Sequence, residues 1–421
     1  MEIPSLLFLP TDEAVQARLA SIHVENYGRT RNHLDGAVTY LSPYLTHGFL
    51  SLKEAVAAIR GRQQRLAPSD KLFSEFAWRS FFHHVWNHLG DDIFESIRPG
   101  ISNVTYEEQL PIDVIEAHTG LPVIDMAIRT LYSTGYLHNH ARMWLASYLV
   151  HLRHIHWRVG ADWLYGHLLD GDLASNHLSW QWVASTFSVK PYLFNAENVA
   201  RYAPSDWHCP ASLLDTSYEN LETMARGHNE EARQRFDSLP LRKRYDLNGT
   251  EPPELHSKPP HSLCAGLLQS EMEVQNFIKT LAKENVSQLE LVHAWALRGE
   301  SLASGIQVNR TKGLGFVHLP SRKALPWSSQ RWQFVLERMQ SLCEFIFVGD
   351  LSVLLAALPS HVALYAQDSV GCLETKRVLD RHNVHWLTQQ SLLIEPNRLC
   401  TSFSRYIREA RYVNAAEADY G

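Results

Sequence analysis

Five prolines crowd into Ser238–Ser262, SLPLRKRYDLNGTEPPELHSKPPHS, among dense charge. Proline fixes φ and has no N–H to donate, so this stretch cannot continue a helix or sit inside a sheet, and it reads as a linker. The hydrophobic pattern changes across it. Before it, Asp70–Leu89, Leu121–Thr134 and His138–His151 repeat apolar residues at helical spacing, with Thr-Gly breaks at 119–120 and 134–135, and residues 204–237 read as a polar helical tail. Beyond it, GLGFVHLP (313–320), FIFVGD (345–350) and VALYAQD (362–368) are short β-rich runs alternating with helical segments at 330–342 and 374–381, the pattern of a small parallel sheet. The chain is therefore expected to be mainly α: an all-helical domain at 1–237, a linker at 238–262 and a small α/β domain at 263–421. The Gly-Leu-Gly at 313–315 lacks a third glycine and a well-placed acidic residue, and is read as a turn.

Hydrophobic residues make up 45% of the chain and charged residues 20%, an ordinary globular balance that excludes general disorder. The net charge of −6 excludes a generic polyanion binder, so any nucleic-acid contact must come from a local basic patch. The five cysteines lack CxxC spacing and are expected to be free thiols. The opening residues do not resemble a signal peptide and no apolar run is long enough to span a bilayer, so a soluble, cytoplasmic protein without membrane contact is expected. Eight of the 12 tryptophans fall between Trp78 and Trp207, which concentrates attention on the helical half.

Three constellations there carry chemistry. In EFAWRSFF, Glu75, Trp78, Arg79 and Phe82 share one helix face, so a carboxylate, an indole, a guanidinium and a phenyl ring project together; the plain alternative is a core stripe beside a surface ion pair. In HNHARMW, Asn139 and Met143 stand four apart with Arg142 on the flank. His138 and His140, two apart, do not share a face, and no HExxH accompanies them, so no metal site is expected. In DGDLASNHLSWQW, Asp170 and Asp172 flank Gly171, a turn suited to polar groups or to a guanidinium.

Taken in this order, these motifs resemble the FAD-binding helical domain of the photolyase and cryptochrome family. The segments that carry the resemblance are YGRTRNHLDGAVTYLSPYLTHGFLS from Tyr27, FSEFAWRSFF, TGLPVIDMAIRTLYSTGYLHNHARMWLASYLV and HWRVGADWLYGHLLDGDLASNHLSWQWVAST, about residues 11–204. The resemblance implies FAD as cofactor and leaves an antenna chromophore undefined. It implies that Tyr27, Thr39, Leu41 and Ser42 belong to the loop that holds the diphosphate, where Tyr40 replaces the usual basic residue and Arg79 is a substitute cation. Arg142 and Asp170 correspond to the ion pair beside the flavin ring, with Gly171 and Asp172 adjoining. Asn176 takes the position facing flavin N5, where an amide accepts a hydrogen bond without adding full charge.

Glu75, Trp78, Asn139, Met143 and Trp182 match the positions that surround a flipped-out pyrimidine dimer in the family's repair enzymes. Trp180 and Trp157 match the proximal and middle members of its electron-transfer chain; no tryptophan stands at the distal position, so the exit is Tyr106, another aromatic, or a rerouted path through Trp163 or Trp144. The family normally carries its α/β antenna domain ahead of the helical one, whereas here an α/β segment follows, as if permuted or independently acquired. The implied function is blue-light repair of cyclobutane pyrimidine dimers, with dimer-containing DNA as partner. The rival, a cryptochrome-like photoreceptor signalling through a protein partner, is kept in play by the 20 acidic against 16 basic residues within 1–204.

Overall fold

The computed structural model describes residues 8–62, 65–227, 250–299 and 311–412; residues 228–249, which include part of the expected tail and linker, lie outside them. The first half is helical: α1 (Asp12–Ser21), α2 (Val24–Thr30), α3 (Ser42–Thr46), α4 (Leu52–Gly61), α5 (Lys71–Leu89), α6 (Ile112–Ile115), α7 (Pro122–Thr134), α8 (Asn139–Ser147), α9 (Trp157–His167), α10 (Leu173–Val183), α11 (Ala196–Tyr202) and α12 (Tyr218–Ala225). Local chemistry sets the ends of these helices. Gly135 closes α7 in the left-handed region at φ 64°, its N–H donating to Leu131 O at 2.8 Å, a conformation that glycine adopts without a Cβ penalty. Asp172 caps α10 by accepting from Ser175 N–H at 2.7 Å, which satisfies one of the free donors of the first turn.

The second half is built on a five-stranded, all-parallel sheet. Its strands are β2 (Gln288–His293), β3 (Thr311–His318), β5 (Phe345–Gly349), β6 (Ala363–Gln367) and β7 (His385–Leu387), in spatial order β5-β3-β2-β6-β7. Helices α13 (Glu271–Lys283), α14 (Ser329–Leu342), α15 (Leu351–Ala357) and α16 (Leu373–Asp380) accompany the strands, and α17 (Phe403–Glu409) follows them. The sheet is parallel, as the alternating pattern predicts, and its first strand lies at its centre. Gly313–Gly315 forms part of β3 rather than a turn: a Cβ at Gly315 would stand 3.0 Å from Ile346 on the neighbouring strand, so the glycine serves close strand packing.

The two halves share hydrophobic contacts. One continuous core contains Phe81 of α5 and Leu178 of α10 together with Leu291, Phe316 and Trp332 of the sheet half; a second core, around Leu131, Trp144 and Leu164, belongs to the helices alone. Residues 255–256 of the expected linker form the short strand β1 (Leu255–His256), antiparallel to β4 (Trp327–Ser328). His256 O accepts from Trp332 Nε1 at 2.9 Å. Prolines on either side of these residues leave them extended, with backbone groups free to pair along an edge. At the junction His47, fully buried, sets its ring nitrogens against the carbonyl oxygens of Ala294 (2.5 Å) and Leu169 (2.9 Å). Among the described residues no helix is long and apolar enough to cross a membrane, and the cysteines are free.

Candidate functional site

Helix α10 packs against α5, α8 and α9. Between these helices and the segment 39–46 lies an open cavity with about 1120 Å³ of empty space. Fourteen of the residues singled out in the sequence line it: Tyr27, Thr39, Ser42, Glu75, Trp78, Arg79, Phe82, Asn139, Arg142, Met143, Asp170, Asp172, Asn176 and Trp180. They come from five separate stretches of chain, so their convergence is a property of the fold and not of any one motif.

Two guanidinium–carboxylate pairs organise one side. Arg142 Nη2 donates to both oxygens of Asp170, at 2.9 and 2.8 Å, while its Nε is held by Leu137 O at 2.7 Å. Arg79 and His83, four apart on α5, both reach Asp172 Oδ2, at 3.2 and 2.9 Å. Burial alone would raise the Asp172 carboxyl, but Arg79, His83 and the Ser175 side chain hold it well below the usual carboxylate range, so the charged form is favoured. Glu75 does not pair with Arg79. It lies 3.5 Å from Arg31, and desolvation raises its pKa against the pull of that guanidinium.

On the facing helix, Asn139 Nδ2 donates to Met143 Sδ at 3.7 Å. Asn176 donates its amide hydrogen to Ala161 O at 2.8 Å, which leaves its oxygen as the acceptor available to the cavity. Ser175, which the sequence reading did not include, lines the cavity beside Asp172.

Five expected residues stand apart from the cavity lining. Leu41 is fully buried, its N–H taken by Thr39 Oγ1 at 3.3 Å, beside Tyr40 at φ 51°; its side chain belongs to the core. Gly171 faces away from the cavity, toward the sheet half, where its carbonyl accepts from Arg331 Nη2 at 2.6 Å. Trp182 is 37% exposed, tilted against Tyr192 at 6.0 Å. Trp157 is buried behind α10 with its Nε1 donating to Ser96 Oγ at 2.9 Å. Tyr106 is farther out, in edge contact with His156 at 6.4 Å, and His156 in turn lies 5.7 Å from the Trp157 ring. Of the residues sequence reasoning missed, His83 had a signal in its spacing from Arg79, whereas Ser175 and Arg331 had none.

Residues 72–205 match the family described as the FAD binding domain of DNA photolyase. The chain is 36% identical over 156 residues to a deoxyribodipyrimidine photo-lyase of Streptomyces griseus, covering 36% of this chain and 32% of that protein. It is 34% identical over 187 residues to one of Vibrio cholerae, covering 41% and 39%. It is also 32% identical over 170 residues to a cryptochrome DASH of Synechocystis, covering 38% and 34%. Among solved structures it resembles a Synechocystis cryptochrome with a TM-score of 0.43 and 29% identity, over 47% of this chain and 44% of that one. The chain thus spans about two fifths or less of the length of these curated relatives. The donor set fits FAD: an Asn176 oxygen left free, the Tyr27, Thr39 and Ser42 hydroxyls and a fixed Arg142–Asp170 pair meet in one cavity.

Proposed function

Because residues 72–205 match the FAD binding domain of DNA photolyase, we propose that the protein is a blue-light-dependent flavoenzyme that repairs cyclobutane pyrimidine dimers in DNA. FAD bound in the cavity supplies, when reduced and photoexcited, the electron that opens the cyclobutane ring and is then recovered. The chain's own residues bind and orient. Arg142 and Asp170 hold each other in one geometry beside the ring system, and Asn176 offers an acceptor without a full charge. Tyr27, Thr39 and Ser42 offer hydroxyls along the same wall.

The observation that carries the reading is that Glu75, Trp78, Asn139 and Met143 line the same cavity as the Arg142–Asp170 pair. Flat and soft apolar surfaces from Trp78 and Met143 receive the faces of an extruded pyrimidine dimer, while Glu75 and Asn139 meet polar base edges. Desolvation raises the Glu75 pKa against the pull of Arg31, and its carboxyl oxygens stand ready to accept from base-edge donors. Trp182, at the exposed C-terminal end of α10, supplies a further aromatic edge at the approach to the slot. Trp180 and Trp157 serve electron supply, with Tyr106 as the outer aromatic.

The test is binding and repair by the purified, photoreduced protein. Salt-dependent preference for dimer-containing over undamaged oligonucleotide, and loss of dimers under blue light but not in darkness, are expected. Equal affinity for both oligonucleotides together with no loss of dimers would remove the proposal. A photoreceptor signalling through a protein partner is the second reading, favoured by the acidic excess of residues 1–204; it predicts photoreduction without dimer preference.

A further inference from the structure

The last helix of the sheet half is fastened along α5. Tyr406 is fully buried with its ring 5.5 Å from Phe81 and 5.1 Å from His84. Cys400 N–H donates to His84 Nε2 at 3.0 Å. Tyr412 packs edge-on against Phe73 at 5.4 Å and bonds to Arg60. These anchors, at positions 73, 81 and 84 of one helix, fix the register of α17. That register lays Phe403 flat on Trp78: the ring centroids are 4.1 Å apart and the planes 9° from parallel. Trp78 lines the cavity and Phe403 does not, so the phenyl ring backs the indole from behind instead of filling the slot.

An indole held by a stacked neighbour has its side-chain torsions settled before a ligand arrives. An unbacked one must give up rotamer freedom on binding, which weakens affinity. From this stacking we infer that Phe403 is a positioning residue for substrate recognition: it holds Trp78 as a preformed aromatic wall, so that the sheet half completes the pyrimidine-dimer slot of the helical half. The inference rests on the repair reading above and assigns a role in it to a residue outside the matched region 72–205. Phe403 acts through Trp78 and touches no reacting atom.

The experiment compares wild type with Phe403→Ala, Phe403→Leu and Phe403→Tyr. Affinities for dimer-containing and undamaged oligonucleotides are measured alongside the flavin absorption spectrum, the melting temperature and the repair rate at saturating substrate. Phe403→Ala is expected to weaken binding to dimer-containing DNA roughly 3- to 10-fold, the scale of one freed rotamer-rich side chain. Binding to undamaged DNA, the flavin spectrum and the saturated repair rate stay at wild-type values. Phe403→Leu keeps apolar bulk and melting temperature yet loses the flat face, and is expected to show the same loss of preference. Phe403→Tyr is expected to restore it.

Unchanged preference in the Ala and Leu variants overturns the inference. So does an equal loss on both DNAs, which would mark a general surface effect, or tighter binding, which would mark Phe403 as a plug. A wild type without dimer preference removes the repair reading and this inference together, whereas a wild type with preference that the variants share removes this inference alone.

Discussion

At Gly160 the absence of one atom sets the position of a tryptophan. A Cβ there would come within 2.4 Å of two Trp180 ring carbons, and Trp157 opens the same helix, so the bare backbone lets the indole rest between the cavity and the next aromatic. Gly160→Ala is expected to displace the Trp180 ring and slow flavin photoreduction several-fold with FAD retained, whereas Trp180→Phe abolishes it; both are read from flavin absorbance under blue light, and an unchanged rate in Gly160→Ala would detach Trp180 from electron supply. Residue identity was legible in the sequence wherever a motif set a helix face, as with Asn139 and Arg142 or with Glu75 and Trp78. Direction was less so. Gly171 sits between two cavity-lining aspartates yet points out of the cavity, because a Cβ there would meet Arg331 Nη1 at 2.3 Å and Tyr165 O at 2.6 Å, and no local pattern announces a partner 160 positions later. Leu41 likewise belongs to the right loop and turns into the core.

Helix α14 shows how one element reaches across the junction. Arg331, fully buried, donates to Tyr165 O at 3.1 Å and Gly171 O at 2.6 Å, and its guanidinium lies 4.5 Å from the Trp327 ring. Arg322, buried nearby, approaches the same ring at 4.5 Å and donates to Tyr165 Oη at 3.3 Å. Neither forms an ion pair within 4 Å among the described residues; backbone carbonyls, a phenol and aromatic faces take that place, as the weak hydration of guanidinium allows. The alternating α/β pattern announced this helix, but its hydrophobic spacing said nothing of a charged residue at its buried face. Arg331→Met would leave two buried carbonyls without donors, a loss of about 2–5 kcal/mol. The expected result is a lower denaturation midpoint with FAD released in the same transition; an unfolding step of the sheet half alone, with FAD retained, would show that the clamp does not support the flavin site.

Across the whole molecule, buried imidazoles set the response to acid. Burial lowers the pKa of His151, His167 and His293 to about 4. These groups stay neutral in the folded protein while the unfolded chain protonates them below about 6.5. The unfolded state then binds more protons, so stability is complete above that pH and falls as pH drops toward 4, by up to about 1.4 kcal/mol per pH unit for each group. Asp172 acts in a lower window, its contribution being lost only as pH falls below the usual carboxylate value. Thermal midpoints measured from pH 8 to pH 4 should decline steeply below 6.5, and a flat profile between 7 and 5 would contradict the neutral assignment. The placement of Arg331 and Phe403 behind a cavity whose helices end at Val183 also has a consequence for biogenesis. A ribosome completes every cavity helix some 220 residues before Phe403, which at 5–20 residues per second is a delay of roughly 10–40 s. Until Arg331 emerges the nascent helical domain lacks its clamp, and until Phe403 emerges it lacks the backing of its indole, so the aromatic wall is the last part of the slot to be completed.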